Sequence, residues 1–211
     1  MNIPSAETLR LTAASATERP TSVRWRIFLI MLLLTAINYI DRASLSVALP
    51  LISSEFQIPP ALEGLMLSAF FWSYALMQIP GGMLLDRFQT RRVIVIATVA
   101  WGAFQALAAG AHNWITLLIT RMGLGIAESP IMPAGAKLNG AWLTPNERGR
   151  GAVLVDGGAP LGSAFGAIII AGLIGWFDSW RIAFVIAGIG TMLAGVLAWK
   201  YIRNHPSEHP G

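Results

Sequence analysis

From Ile27 onward the chain alternates long apolar runs with short polar breaks. Six runs approach the roughly 20 residues that a helix needs to cross a bilayer. They cover approximately 26–49, 62–84, 93–110, 114–139, 151–173 and 180–200. The breaks are short, so successive helices are expected to run antiparallel. The pattern predicts an all-α membrane protein, a bundle of six transmembrane helices over 24–203. Residues 1–23 are polar. They contain no apolar core followed by a small-residue cleavage site, so they read as a tail and not as a secretory signal. Residues 204–211 are polar again and read as the start of a further loop.

Composition agrees. The chain is 55% hydrophobic and 12% charged, whereas soluble domains carry roughly a quarter charged residues. It has no Cys, which excludes a disulfide framework and cysteine-ligated metal. His112, His205 and His209 fall in breaks or the tail, so no metal site or cofactor is expected. No nucleophile elbow or phosphate-binding loop is present, which argues against a membrane enzyme. The net charge is +4, but the basic residues lie between apolar runs and form no interleaved patch for nucleic acid.

Those basic residues have a topological meaning. Arg10, Arg19, Arg24 and Arg26 precede the first run, Arg87, Arg91 and Arg92 follow the second, Arg148 and Arg150 follow the fourth, and Lys200 and Arg203 close the sixth. The breaks at 50–61, 110–113 and 174–179 contain neither Lys nor Arg, and Arg181 stands alone on that side. The positive-inside rule then predicts that both termini are cytoplasmic. The expected setting is the inner or plasma membrane, crossed several times.

Small residues punctuate the runs. Gly158, Gly162 and Gly166 recur every four residues, a stripe that lets two helices approach closely. Pro160 in the fifth run, and Pro130 and Pro133 in the fourth, remove helix hydrogen bonds and are expected to bend their helices.

Charge inside the runs is the main chemical signal, because ionisable groups in lipid must face a bundle interior or a wet cavity. The first run carries Thr35, Asn38, Asp41, Arg42 and Ser46, at spacings that predict one polar stripe. The fourth carries Arg121, Gly125 and Glu128, with Gly125 expected to leave room between the two charges. Counting from the external end, Asp41 and Arg42 lie about 10–14 Å deep, Arg121 about 10 Å, Tyr74 about 18 Å and Glu128 about 21 Å. These groups are expected to meet at one mid-membrane site. Arg42 and Arg121 offer planar forks of donors that suit a carboxylate or phosphate. Asp41 and Glu128 are the candidates for proton exchange, since burial and a neighbouring arginine act on a carboxylate in opposite directions. The alternative is that Asp41 with Arg121, or Arg42 with Glu128, are fixed ion pairs. Tyr74 either packs or offers its hydroxyl to a ligand. Asp156 is a third buried acid, lining the cavity or lying near the wet cytoplasmic end.

The second break reads Gly82-Met83-Leu84-Leu85-Asp86-Arg87-Phe88-Gln89-Thr90-Arg91-Arg92. Gly82 would permit close helix approach, and Asp86 would pair with a basic neighbour. The stretch resembles the G-x-x-x-D-R-x-G-x-[RK]-[RK] loop of the major facilitator superfamily, with Gln89 in place of the later Gly. Pro145-x-Glu147-Arg148, Arg121-x-x-x-Gly125-x-x-Glu128-x-Pro130, Tyr39-Ile40-Asp41-Arg42 and Gln78-Ile79-Pro80-Gly81-Gly82 resemble its anion:cation symporter branch, which includes sugar-acid transporters.

The resemblance implies the following. Asp41 and Glu128 couple protons. Arg42 and Tyr74 contact the substrate, an organic anion, with Asn38 beside them. Arg121 pairs with Asp41. Gly82, Asp86, Arg87, Arg91 and Arg92 form a gating loop. Sugar-acid members often carry Gln in the fifth helix near the position of Ala159, so the resemblance reaches the carboxylate class but not one substrate. An exporter or antiporter of the same superfamily is an alternative, although Ser163 stands where the exporter motif needs Gly. The superfamily fold has twelve helices in two halves, so a second six-helix half, in this or a separate chain, is the expected partner. An inactive or regulatory half-transporter is the other alternative.

Overall fold

The computed structural model describes residues 23–205. Most of the expected tail, with Arg10 and Arg19, and the expected loop from Pro206 onward lie outside the described residues. Within them the chain is all-helical, with no strand. The helices are α1 (Val23–Phe56), α2 (Pro60–Arg87), α3 (Thr90–Leu107), α4 (Trp114–Glu128), α5 (Ile131–Trp142), α6 (Arg148–Phe177) and α7 (Trp180–Tyr201). A single 3₁₀ turn, Ala108–Gly110, extends α3.

Five stretches are long and apolar enough to cross a membrane: Val23–Phe56, Thr90–Gly110, Trp114–Trp142, Arg148–Phe177 and Trp180–Tyr201. The second helix is long but more polar. Its 28 residues include Glu63, Ser68, Ser73, Tyr74, Gln78, Asp86 and Arg87.

The turns follow from local chemistry. Pro59 and Pro60 start α2, where a missing N–H costs nothing. Asn113 and Thr116 form a reciprocal capping box at the head of α4. Ser179 accepts from the Ile182 N–H at the head of α7. Gln57 and Asp178 end α1 and α6 with positive φ, 50° and 49°. Pro50, Pro80 and Pro160 lie inside continuous helices. At Ser129-Pro130 the helix is interrupted instead, and the fourth span divides into α4 and α5.

Packing is pairwise. α1 lies mainly against α6, α3 against α7, and α2 against α4. Glycine decides two of these seams. A Cβ at Gly158 would meet the Leu32 carbonyl, the Ala36 nitrogen and Thr35, and one at Gly162 would meet the Ala36 carbonyl and Tyr39. Gly166 faces Ile40 and Ala43. The stripe expected from the sequence is therefore the α1–α6 contact. Gly102 and Gly188 do the same for α3 and α7, each facing the other's carbonyl oxygen. Without side-chain bulk, backbones approach until dispersion contacts replace lipid.

Two glycine expectations need correction. Gly125 leaves no open room, because Ser73, the Phe70 carbonyl and Tyr74 of α2 fill it. Gly82 admits no close helix approach, since an added Cβ there meets nothing within 4 Å. The tight neighbour is Gly81, against Ser129 and Pro130 at 3.2–3.3 Å. One residue turns the helix by about 100°, which moves the close approach from one glycine to the next.

One end of the bundle gathers the basic residues and is called here the basic end. Arg24 pairs with Glu147 at 2.7 Å, joining α1 to the start of α6. Lys137 of α5 pairs with Asp86 at 3.1 Å and also donates to the Leu85 carbonyl. Arg91 lies over the Trp199 ring at 3.9 Å and donates to the Trp199 carbonyl, tying α3 to α7. Arg87 sits over Phe88 at 5.8 Å, and Arg92 is exposed. At the opposite end Arg181 pairs with Glu55 at 2.7 Å.

Replacing Gly162 with Ala is expected to destabilise the bundle by about 1–3 kcal/mol, because the added methyl overlaps the α1 backbone. Gly172→Ala, where space is open, is expected to be neutral or slightly stabilising. Thermal unfolding of the two variants in detergent checks the difference.

Candidate functional site

The site is built around two consecutive residues of α1 that point in different directions. Neighbours on a helix are about 100° apart. Asp41 is 1% exposed and turns toward α3 and α7. Its Oδ2 accepts from Trp101 Nε1 at 2.6 Å and from Thr191 Oγ1 at 2.9 Å. Its Oδ1 is buried with no hydrogen-bond partner. Arg42 turns toward α2 and α4, where its Nε donates to Glu128 Oε2 at 3.2 Å. Tyr39, Phe70 and Tyr74 each place a ring centroid 4.7 Å from the Arg42 guanidinium carbon. Three rings stabilise the cation by their quadrupoles and keep the guanidinium in place.

Glu128 is fully buried and is the last residue of α4, just before the break at Ser129-Pro130. The negative end of the α4 dipole lies there, so a cation is favoured beside it. Arg42 supplies that cation. Of the two ion pairs weighed from sequence, Arg42–Glu128 is formed.

The other is not. Arg121 is 2% exposed and makes no ion pair with a carboxylate among the described residues. Its Nη1 lies 3.5 Å from the Asp41 main-chain carbonyl and 3.3 Å from Gln105 Oε1. Its Nη2 lies 3.4 Å from Ser44 Oγ. Ser44 donates in turn to the Asp41 carbonyl at 2.6 Å and accepts from Gln105 Nε2 at 2.9 Å. Phe184 lies 4.9 Å from the guanidinium carbon. Trp101 and Thr191 engage the Asp41 carboxylate, and the hydrogen bond that Asp41 gives Arg121 is from its main-chain carbonyl.

A recess of about 490 Å³ opens on this cluster. Arg42, Arg121, Tyr39, Ser46, Phe70 and Ser163 are among its lining residues. The polar stripe of α1 therefore divides. Arg42 and Ser46 line the recess, whereas Thr35, Asn38 and Asp41 are buried in the bundle. Asn38 is 3% exposed and lies beside Glu128, with its Oδ1 unpartnered. Tyr74 stacks on Phe70 at 5.7 Å and flanks Arg42, and it does not line the recess.

Asp156 is exposed and so is not a third buried acid. It stands seven residues before Ser163, on the same face of α6 and roughly 10 Å along it. Arg42 keeps both terminal amino groups free of protein hydrogen bonds among the described residues, because only its Nε is engaged. Arg42 thus lines the recess with two uncommitted amino groups, beside the buried Glu128 carboxylate. That arrangement can bind a planar oxyanion and exchange partners with Glu128.

Sequence reasoning missed Trp101, Thr191, Gln105 and Ser44. Gln105 and Thr191 were findable, since each is a hydrogen-bonding side chain inside an apolar run. Trp101 was not, as one tryptophan among eight.

The described residues form a helical bundle with an arginine-bearing recess partway along its helices. The chain belongs to the Major Facilitator Superfamily, whose family model matches residues 31–211. It is 32% identical over 209 residues to the probable galactarate/D-glucarate transporter GudP of Escherichia coli, covering 94% of this chain and 45% of that protein. It is 31% identical over 182 residues to the hexuronate transporter of Bacillus subtilis, covering 86% of this chain and 43% of that one. A crystal structure of a bacterial homolog of the human lysosomal transporter Spinster, inward-facing and unoccupied, matches with a TM-score of 0.80 and 25% identity. That match covers 88% of this chain and 44% of the other. The chain thus spans under half the length of these relatives.

Trp101→Phe keeps the ring but removes the N–H to Asp41, and Thr191→Val removes the hydroxyl at nearly constant shape. Each is expected to cost about 1 kcal/mol, the scale of a hydrogen bond between membrane helices. Unfolding in detergent reads the loss. In the Asp41→Asn background, where the carboxylate is gone, the cost of Trp101→Phe should shrink.

Proposed function

We propose that this chain is the amino-terminal half of a secondary active transporter that moves an organic anion by proton symport. The substrate is a sugar acid or related carboxylate, and the setting is the inner or plasma membrane with both termini cytoplasmic. The single observation that carries this reading is the Arg42 fork. Its Nε is held by Glu128, its two amino groups make no hydrogen bond among the described residues, and the residue lines a recess of about 490 Å³. A carboxylate entering the recess meets two parallel N–H donors, already oriented by three aromatic rings.

Family membership supports the transport class. The sugar-acid names of the relatives support the substrate class. Residues of α1, α2, α4 and α6 line the recess, and in this reading a second six-helix unit in the same or a separate chain supplies a further wall.

The mechanism follows from partner exchange. A substrate carboxylate on Arg42 competes with Glu128 for the same cation. Glu128 then loses its counter-charge in a buried setting, where a lone carboxylate is costly, and takes a proton. Substrate and proton therefore enter together. Asp41, held by Trp101 and Thr191, is the second proton site and is reached through the α1–α3–α7 interior. Asn38 steadies Glu128, and Tyr74 steadies Arg42. The residues Asp86, Arg87, Arg91 and Arg92 at the basic end form the gate, with Lys137 as the partner of Asp86.

Uptake of labelled galactarate or glucuronate by cells expressing the complete gene tests the reading. Uptake is expected to rise as the outer medium is acidified and to collapse with an uncoupler. Glu128→Gln and Asp41→Asn should each abolish accumulation against a gradient. Arg42→Ala should weaken substrate binding about 10- to 100-fold, the loss of charge-assisted hydrogen bonds. Gradient-driven uptake that survives in both acid variants would sink the proton assignment.

A further inference from the structure

A second recess lies at the basic end, away from the transport site. It measures about 180 Å³ and is lined by Val23, Arg26, Lys200, Tyr201 and Arg203. Three cations from two helices converge there. Arg26 stands in the first turn of α1, Lys200 in the last turn of α7, and Arg203 just beyond it. Cations near a helix C-terminus are favoured by its dipole, and Arg203 already donates to the Ile202 carbonyl at 3.3 Å. None of the three pairs with a carboxylate among the described residues. Arg24, two residues from Arg26, is by contrast neutralised by Glu147.

The surface along the helices from this recess is apolar and bare. Leu29 and Leu33 lie three and seven residues from Arg26 on the same face of α1, 54% and 38% exposed. Leu193 lies seven residues before Lys200 on α7, 63% exposed. The topological need for positive charge does not explain this grouping. Arg87, Arg92, Arg148 and Arg150 serve that need at the same end and do not line the recess.

We propose that this recess binds the phosphate of an anionic phospholipid, with the acyl chains lying along Leu29, Leu33 and Leu193. The guanidiniums of Arg26 and Arg203 and the Lys200 ammonium donate to the phosphate oxygens. Three positive charges select a headgroup with no cation of its own. The lipid bridges the start of α1, which carries Asp41, and the end of α7, whose Thr191 donates to it.

The test measures phospholipid retained by the purified chain, using native mass spectrometry and thermal unfolding in mixed micelles. Phosphatidylglycerol is expected to bind and stabilise, and phosphatidylcholine to bind far more weakly. Combining Arg26→Gln, Lys200→Gln and Arg203→Gln should weaken phosphatidylglycerol binding about 100-fold, given the usual contribution of each basic residue at an anionic surface. An Arg92→Gln, Arg148→Gln, Arg150→Gln variant removes equal charge elsewhere and should retain binding. The single Arg26→Gln variant, at an exposed position, should lose about fivefold and serves if the triple variant does not fold. Equal loss in both triple variants would overturn the proposal, as would equal binding of the two lipids. Inorganic phosphate alone reproducing the stabilisation at millimolar concentration would reassign the recess to a free anion.

Discussion

Asp41, buried, and Arg42, half-buried, are adjacent and oppositely charged on one apolar helix, yet they cannot neutralise each other. The helix sends their side chains about 100° apart. Each needs a partner from elsewhere, and removing a partner from a buried charge is strongly destabilising. The bundle meets both needs in different ways. Trp101 and Thr191 give the Asp41 carboxylate two neutral donors. Glu128 and three aromatic rings hold Arg42. Four of the other five spans are thereby committed to positions around α1, and the fifth, α6, is fastened to it by glycine.

The glycine seams set how close those partners come. α1 and α6 meet along Gly158, Gly162 and Gly166, and α3 and α7 meet at Gly102 and Gly188. α7 carries Thr191 one turn from Gly188, and α3 carries Trp101 beside Gly102. The donors to Asp41 are thus delivered by residues next to the close Gly102–Gly188 contact. The same economy governs the fourth span. Its interruption at Ser129-Pro130 leaves Glu128 at the end of α4, and Gly81 lets α2 press against that break. The pieces that give Arg42 its partner are local consequences of a proline and a glycine.

Arg121 shows how a buried cation is accommodated without an ion pair. Gln105, Ser44 and a main-chain carbonyl surround it at 3.3–3.5 Å. Ser44 both donates to and accepts from this group, so one hydroxyl joins α1, α3 and α4. Such a network is directional, and it carries the charge of α4 to the main chain of Asp41 while leaving its carboxylate to α3 and α7.

Much of this was legible in the order of residues. Apolar runs near bilayer length, short breaks and their basic residues determined an all-α membrane bundle, and spaced glycines determined a close seam. Asp41, Arg42, Arg121 and Glu128 were marked by their cost in lipid. What only the tertiary structure decided was which of them meet. Depth along a helix can be counted from sequence, but azimuth relative to other helices depends on packing. That is why Arg121 reaches a carbonyl and not a carboxylate, why Gly81 and not Gly82 is pressed, and why Trp101 matters among eight tryptophans. A periodic pattern specifies which residues share a face. The direction that face takes is set by all the helices packing together.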